Sequence, residues 1–281
     1  MAPRGVLHAN KRLGQHFLVD PNIVRKIIAA ARLGSAETVL EIGPGRGALT
    51  GALSEVAGRV VAVEIDPVLH RLLEERRVEW RNVELIQGDA LTYPLGDLPP
   101  GTVVVANLPY YISTPLLFRL LAQRTRFPRM VLMLQDEVAD RLVAGPGAPA
   151  YGVLSVMVQY AAEVTKAFRV SAQCFRPKPE VGSAVVLLRS KSTTGLSLEE
   201  ERRFSALVKA AFAHRRKMLL NSLRDEGYDG DRMSEALSRL NLPTTVRAER
   251  LSPEQFVELT RLLSGPPQET RPAEAKEGHD R

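Results

Sequence analysis

Asn107-Leu108-Pro109-Tyr110 brings together an amide, a main-chain carbonyl beside a proline turn and an aromatic ring. Such groups suit the holding of a flat ring that bears an amino group. Asn and Pro are also ordinary turn residues, so the same stretch reads equally as a strand-to-helix turn. A second set lies upstream. Glu41-Ile42-Gly43-Pro44-Gly45-Arg46-Gly47-Ala48 is a glycine-rich loop, in which a ligand can approach main-chain N–H groups near a helix N-terminus. Glu64 closes Val61-Ala62-Val63-Glu64, about 20 residues on, where a carboxylate can take both hydroxyls of a ribose. Asp89, in Gln87-Gly88-Asp89-Ala90, is placed to bind the amino group of an adenine. Together they describe an adenosine-shaped cleft. Gly43, Gly45 and Ala48 satisfy the relaxed dinucleotide fingerprint, so a nicotinamide cofactor competes for it. Glu41, Asp89 and the Asn-Leu-Pro-Tyr stretch fit S-adenosylmethionine better, since that ligand lacks a pyrophosphate but carries an amino acid and a sulfonium. Each acid also has a structural reading: Glu41 as a helix-cap partner, Glu64 as half of an ion pair, Asp89 as a turn residue.

These residues need strands to carry them. Residues 38–42, 59–65, 82–87, 102–106 and 129–134 read as strands separated by helical patterns, which implies right-handed βαβ units and a parallel sheet covered on both faces. The candidate residues then fall at carboxyl ends of strands, where open α/β sheets bind ligands. Asp20 with Pro21 marks a helix start. Further strands near 163–168 and 183–189 flank Cys174-Phe175-Arg176-Pro177-Lys178-Pro179, a connection too short for a crossover helix, so this pair is expected to be antiparallel. Ser197-Leu198-Glu199-Glu200 and Ser252-Pro253-Glu254-Gln255 carry the capping-box pattern. The expected organisation is a basic segment 1–19, a main domain 20–190, a small all-helical domain 191–264 and a disordered tail 265–281.

The totals bound the function. At 281 residues, 44% hydrophobic and 25% charged, the chain has the composition of an ordinary globular protein. No apolar run approaches the roughly 20 residues that cross a bilayer, and residues 1–11 lack a secretory apolar core, so no membrane partner and a cytoplasmic location are expected. The single cysteine, Cys174, excludes an internal disulfide, and no zinc motif occurs, so no metal is expected. A formal charge of +6 points to an anionic partner. Lys11, Arg12, Arg215, Arg216 and Lys217 are the first candidates to contact it, with Arg124, Arg126 and Arg129 behind them, and each basic run also reads as a solvated face.

Taken in order, Gln15-His16-Phe17-Leu18, the glycine loop to Thr50, Val63-Glu64-Ile65-Asp66, Gly88-Asp89-Ala90, Asn107 to Pro115, and Phe175 to Ser183 resemble the KsgA-type ribosomal RNA adenine dimethyltransferases, relatives of the Erm methyltransferases. Arg215-Arg216-Lys217 followed by Asn221-Ser222-Leu223 resembles that family's helical segment. The resemblance implies a class I S-adenosylmethionine-dependent methyltransferase domain, Rossmann-like, with a mostly parallel seven-stranded sheet and an antiparallel end, followed by the small helical domain. It implies dimethylation of the exocyclic amino groups of two adjacent adenosines near the 3′ end of 16S rRNA, within the small ribosomal subunit or its precursor, by a monomer with a part in subunit biogenesis. Matched positions give cofactor binding to His16, Leu18, Gly43, Gly45, Glu64, Ile65, Asp89, Ala90 and Asn107. They give the target base to Asn107, Leu108, Pro109, Tyr110 and Phe175, with Tyr110 on one face of the base and Phe175 on the other; Phe175 also reads as a core aromatic beside Cys174. His16 departs from the pattern, since many members carry Asn there. An Erm-type enzyme of the large subunit, an RNA-binding assembly factor and a nicotinamide oxidoreductase are the competing readings.

Overall fold

Strands rich in β-branched residues with no polar face need cover on both sides, and the sheet is layered accordingly. The computed structural model describes residues 14–214 and 216–264. Lys11, Arg12, Arg215 and the segment 265–281 lie outside those residues. The chain divides into two compact units, Met1–Gly195 and Leu196–Arg281.

In the first unit the order is β1 (Phe17–Leu18), α1 (Pro21–Ala31), β2 (Thr38–Ile42), α2 (Ala48–Val56), β3 (Arg59–Glu64), α3 (Pro67–Arg76), β4 (Val83–Gln87), β5 (Val103–Asn107), α4 (Ser113–Ala122), β6 (Arg129–Gln135), α5 (Asp136–Val143), α6 (Val153–Ala161), β7 (Ala162–Val170), β8 (Phe175–Arg176) and β9 (Ser183–Ser190). Seven strands form one sheet in the order β4-β3-β2-β5-β6-β9-β7. The β2–β3, β3–β4, β2–β5 and β5–β6 pairs are parallel, while β9 runs antiparallel to both β6 and β7. After β2 the chain builds outward through β3 and β4, then returns to add β5 on the other side. The ligand crevice of such sheets opens at that reversal.

The core explains why the sheet is stable where it is. Val39, Val60, Val83, Val103 and Val105 are buried under α1 and α2, which contribute Ile27, Ala31 and Leu53. Helix α1 begins as the sequence indicates: Asp20 caps it by accepting the Asn22 N–H at 2.8 Å, with Pro21 in the first turn.

Two features differ from the expectation. The antiparallel pair is present, but β9 inserts between β6 and β7, so the later strand is the inner one. Phe17 and Leu18, expected to end an irregular segment, form β1 and pair with β8, Phe17 opposite Arg176 and Leu18 opposite Phe175. A two-residue strand has no period to read, and its partner is more than 150 residues away.

The second unit comprises α7 (Leu198–Phe212), α8 (Leu219–Asp225), α9 (Gly230–Arg239) and α10 (Pro253–Ser264). Both capping boxes form. Ser197 and Glu200 bond each other's main-chain N–H, as do Ser252 and Gln255. Phe204, Leu207, Val208, Phe256 and Leu259 supply its interior. No helix among the described residues is long and apolar enough to cross a membrane.

Candidate active site

A cavity opens at the carboxyl ends of β2, β3 and β5, bounded by the residues that precede β1. Its floor is the loop after β2. Gly45 has φ +61°, and a Cβ there would stand 3.1 Å from the Phe17 ring, so a side chain would meet both a strained backbone and an occupied space. The Gly45 N–H donates to Glu64 Oε2 at 2.9 Å, and the Asp66 N–H donates to Oε1 at 3.0 Å. Glu64 is thereby fixed by main-chain donors from the loop and from the start of α3. Each carboxylate oxygen retains a lone pair for a further donor. Burial raises the Glu64 carboxyl above its ordinary range, against the opposing effect of the Asp66 and Gly45 N–H groups.

Glu41 lies deeper. It is 1% exposed and lines the cavity. Its Oε2 has no hydrogen-bond partner among the described residues. Burial pushes its carboxyl up to about 8, with Thr50 offsetting part of the rise and the charge of Glu64 adding to it. A buried, unpartnered carboxyl oxygen is costly unless a ligand satisfies it. Such an atom is open to a hydrogen-bonding group of a ligand.

The residues before α1 are strapped across the site at several points. The Gln15 amide donates to Asp66 Oδ2 at 2.8 Å, and Arg46 stacks over the Phe17 ring at 4.6 Å. His16 Nδ1 lies 2.9 Å from the Pro177 carbonyl. A carbonyl can only accept, so Nδ1 carries the hydrogen and this face of the ring is spent on the protein. His16 and Leu18 both border the cavity.

At the end of β5 the Asn107 amide nitrogen donates to the His16 carbonyl at 3.3 Å. That bond turns Oδ1 away from His16, leaving an acceptor for an incoming donor. Leu108 is 1% exposed, with its N–H on the Met133 carbonyl at 3.1 Å. No described residue donates to its own carbonyl. Pro109 packs beside Gly43, its ring carbons 3.5 and 3.6 Å from where a Cβ would be. The Tyr110 hydroxyl lies 2.7 Å from Ser183 Oγ, and its ring centroid is 5.6 Å from that of His16.

Gly43, Gly45, Glu64, Ile65, Asn107, Leu108, Pro109 and Tyr110 thus share one cavity. Asp89 and Ala90 stand beside it. The charges of Asp89 and Glu64 join burial in raising the hydroxyl of Tyr111, which lines the cavity. The turn that carries Asp89 is held by a side chain the sequence reading did not single out. Arg119, on α4, donates to the Ala90 carbonyl at 2.8 Å and also to that of Tyr93. Only its position across the fold identifies it.

Phe175 does not line the cavity. Expected against one face of a base, it is fully buried among Leu18, Ile23, Val105 and Val185. The β1–β8 pairing pulls it inward, because Phe175 stands opposite Leu18 in that pair. The weaker RNA candidates are likewise committed internally. Arg126 donates to the Leu98 carbonyl, Arg129 pairs with Glu37 at 2.9 Å, and Arg124 reaches Thr194 at 3.0 Å. Arg216 and Lys217 are exposed, Lys217 with an ion pair to Asp225 at 2.5 Å.

A family model described as ribosomal RNA adenine dimethylase matches residues 6–264. A protein of Moorella thermoacetica named ribosomal RNA small subunit methyltransferase A is 44% identical over 264 residues, covering 90% of this chain and 92% of its own. One of the same name from Geobacter sulfurreducens is 43% identical, covering 92% and 96%. Among solved structures, a dimethyladenosine transferase from Plasmodium falciparum superposes with a TM-score of 0.76 at 30% identity, covering 87% and 96%. The 23S rRNA methyltransferase ErmE does so with a TM-score of 0.69 at 27% identity, covering 89% and 100%.

Proposed function

From the premise that the chain belongs to the ribosomal RNA adenine dimethylase family, we propose that it dimethylates two adjacent adenosines near the 3′ end of 16S rRNA, in the small ribosomal subunit or its precursor. The chain is an rRNA adenine N6-dimethyltransferase with a class I methyltransferase fold, and S-adenosylmethionine is its methyl donor. The observation that carries the reading of the site is Asn107, whose amide is oriented by the His16 carbonyl so that Oδ1 is left for a donor at the cavity.

The cavity fits the donor. Glu64 offers a carboxylate fixed by two main-chain N–H groups, suited to the ribose hydroxyls, and Asp89 suits the adenine amino group. The unpartnered buried oxygen of Glu41 suits a hydrogen-bonding group of the donor. Gly43, Gly45, Ile65 and Leu18 complete the surround, with Ala90 in the turn that carries Asp89 beside it and His16 reaching it through the ring edge that Pro177 does not occupy. When bound, the donor supplies an electrophilic methyl group on sulfur.

The remaining work falls to the chain. An aromatic amine is a weak nucleophile because its lone pair is delocalised into the ring. Asn107 Oδ1 and the Leu108 carbonyl accept hydrogen bonds from the amino group and favour a pyramidal nitrogen with a localised pair. Pro109 stiffens the turn that presents the carbonyl. Tyr110 stacks on the base, a contact worth about 1–3 kcal/mol. The base must leave its stack to arrive there. Catalysis on this account is positioning and electrostatics, with reactive chemistry supplied by the cofactor. Lys11, Arg12, Arg215, Arg216 and Lys217 contact RNA phosphates. The protein acts in the cytoplasm as a monomer and takes part in subunit biogenesis.

The test is to incubate the protein with unmethylated 30S particles and, separately, with 50S-derived RNA, using labelled cofactor, and to map the modified nucleotides. Two neighbouring dimethylated adenosines near the 3′ end of 16S rRNA are expected. Label confined to large-subunit RNA would overturn the reading in favour of an Erm-type substrate.

A further inference from the structure

With Phe175 withdrawn into the core, Tyr110 remains the aromatic ring read as facing the target base, beside Tyr111 in the cavity lining. Two bonds hold Tyr110. The Tyr110 carbonyl accepts from Ser113 Oγ at 3.1 Å, which secures the main chain of the turn. The Tyr110 hydroxyl meets Ser183 Oγ at 2.7 Å, which secures the far end of the ring. A ring pinned at both ends cannot swing about its first side-chain torsion, so the direction of its face is set before a base arrives.

Ser183 is well built for this task. It is 1% exposed and is the first residue of β9, the strand inserted between two others. It pairs with Gln135 of β6 on one side and with Val170 of β7 on the other. The preceding residue is anchored too, since the Gly182 carbonyl accepts the Asp136 N–H at 3.0 Å. A hydroxyl on a strand paired along both edges is a rigid reference point. The chain N-terminal to it, through Pro177, is tied to His16, whose ring stands 5.6 Å from that of Tyr110 and tilted by 32°. The segment after β8 therefore braces the target-base side at two points.

We infer that Ser183 is a positioning residue for methyl transfer: its hydroxyl holds the Tyr110 ring in the orientation that receives the target base. The inference rests on the reading of Tyr110 as the stacking residue. It also explains why the clamp carries Tyr rather than Phe, which would stack as well but offers no hydroxyl to pin. The bulk of RNA affinity comes from phosphate contacts elsewhere, so loss of the pin affects turnover more than particle binding.

The experiment is a double-mutant cycle with Ser183→Ala, Tyr110→Phe and the pair, measuring kcat and KM for unmethylated small subunits and the affinity for S-adenosylhomocysteine by calorimetry. Each single change is expected to lower kcat about five- to tenfold, the worth of one hydrogen bond, with KM nearly unchanged. The double variant is expected to lose no more than either single one, because both changes remove the same bond. S-adenosylhomocysteine affinity should stay within about twofold of wild type, which a general collapse of the cavity would not allow. Full turnover in Ser183→Ala overturns the inference, as do losses that multiply in the double variant or a parallel fall in S-adenosylhomocysteine affinity. A wild-type protein that binds S-adenosylhomocysteine but modifies no small-subunit RNA would instead overturn the functional reading on which the inference rests.

Discussion

The half of the cavity around Glu64 and the half around Tyr110 are held by different kinds of bond. Around Glu64 the partners are main-chain groups of neighbouring strands and loops: Gly45 N–H, Asp66 N–H, and the β2–β3 ladder beneath them. Around Tyr110 the partners are side chains and carbonyls from three distant segments: His16, Pro177 and Ser183. Main-chain bonds survive most substitutions of side chains. Side-chain bonds do not. The donor half should thus be tolerant except at its glycines and carboxylates, while the base half should be sensitive at every hydrogen-bonding side chain.

Asn107→Ala should show the sharpest contrast. Methyl transfer is expected to fall by about a hundredfold or more, since a fixed acceptor at the reacting nitrogen is lost. RNA binding, measured by filter retention, should change less than a few-fold. Turnover that survives within a few-fold would break the assignment of Asn107 to the base half. An Asn107 variant that still supports maturation of small subunits would separate the assembly role from the chemistry.

Gly45→Ala tests the donor half at its least tolerant point. The left-handed backbone costs about 1–2 kcal/mol for a residue with a Cβ, and the new methyl would stand 3.1 Å from the Phe17 ring. Lower thermal stability and weaker S-adenosylhomocysteine binding are both expected. Binding unchanged by calorimetry would show that the loop does not shape the donor site.

Glu41 gives a smaller, pH-dependent effect. Its carboxyl is raised from 4.5 to about 8, chiefly by burial. A carboxyl whose native value is raised contributes stability that is fully present below about 4.5 and is lost as pH rises through about 8. The ligand-free protein should lose thermal stability across that window, and Glu41→Gln should flatten the profile. Glu64 is raised in the same direction, so some slope will remain. An identical slope in Glu41→Gln would remove Glu41 as its source.

Neutralising Arg216 and Lys217 together should have the smallest effect, a reduction of about one to two units in the slope of log affinity for RNA against log salt. An unchanged slope would assign both to a solvated face, with Lys217 serving only its ion pair to Asp225.

Much of the geometry around Glu64 could be read from the chain because local pattern encodes it. Apolar runs mark strands, glycines at a strand end mark a loop that ligands can approach, and an acid one strand later falls at the same sheet edge. Helix starts at Asp20, Ser197 and Ser252 were legible for the same reason, since a cap and its partner lie within three residues. Arg119 was not, because its bonds to the Ala90 and Tyr93 carbonyls span 29 and 26 residues.

By itself the sequence determined the strands of the main sheet, the caps, the glycine loop and the acids at the sheet edge, all consequences of short-range periodicity and backbone preference. Tertiary structure alone decided which residues meet across the base side. Tyr110 and Ser183 are 73 residues apart and His16 and Pro177 are 161 apart, brought together only once β9 inserts beside β6 and β1 pairs with β8. The same pairing buried Phe175, while Tyr110 stayed in the cavity lining. An aromatic residue near a turn serves a core or a ligand equally well, and the choice is made by the surface that packing leaves for it.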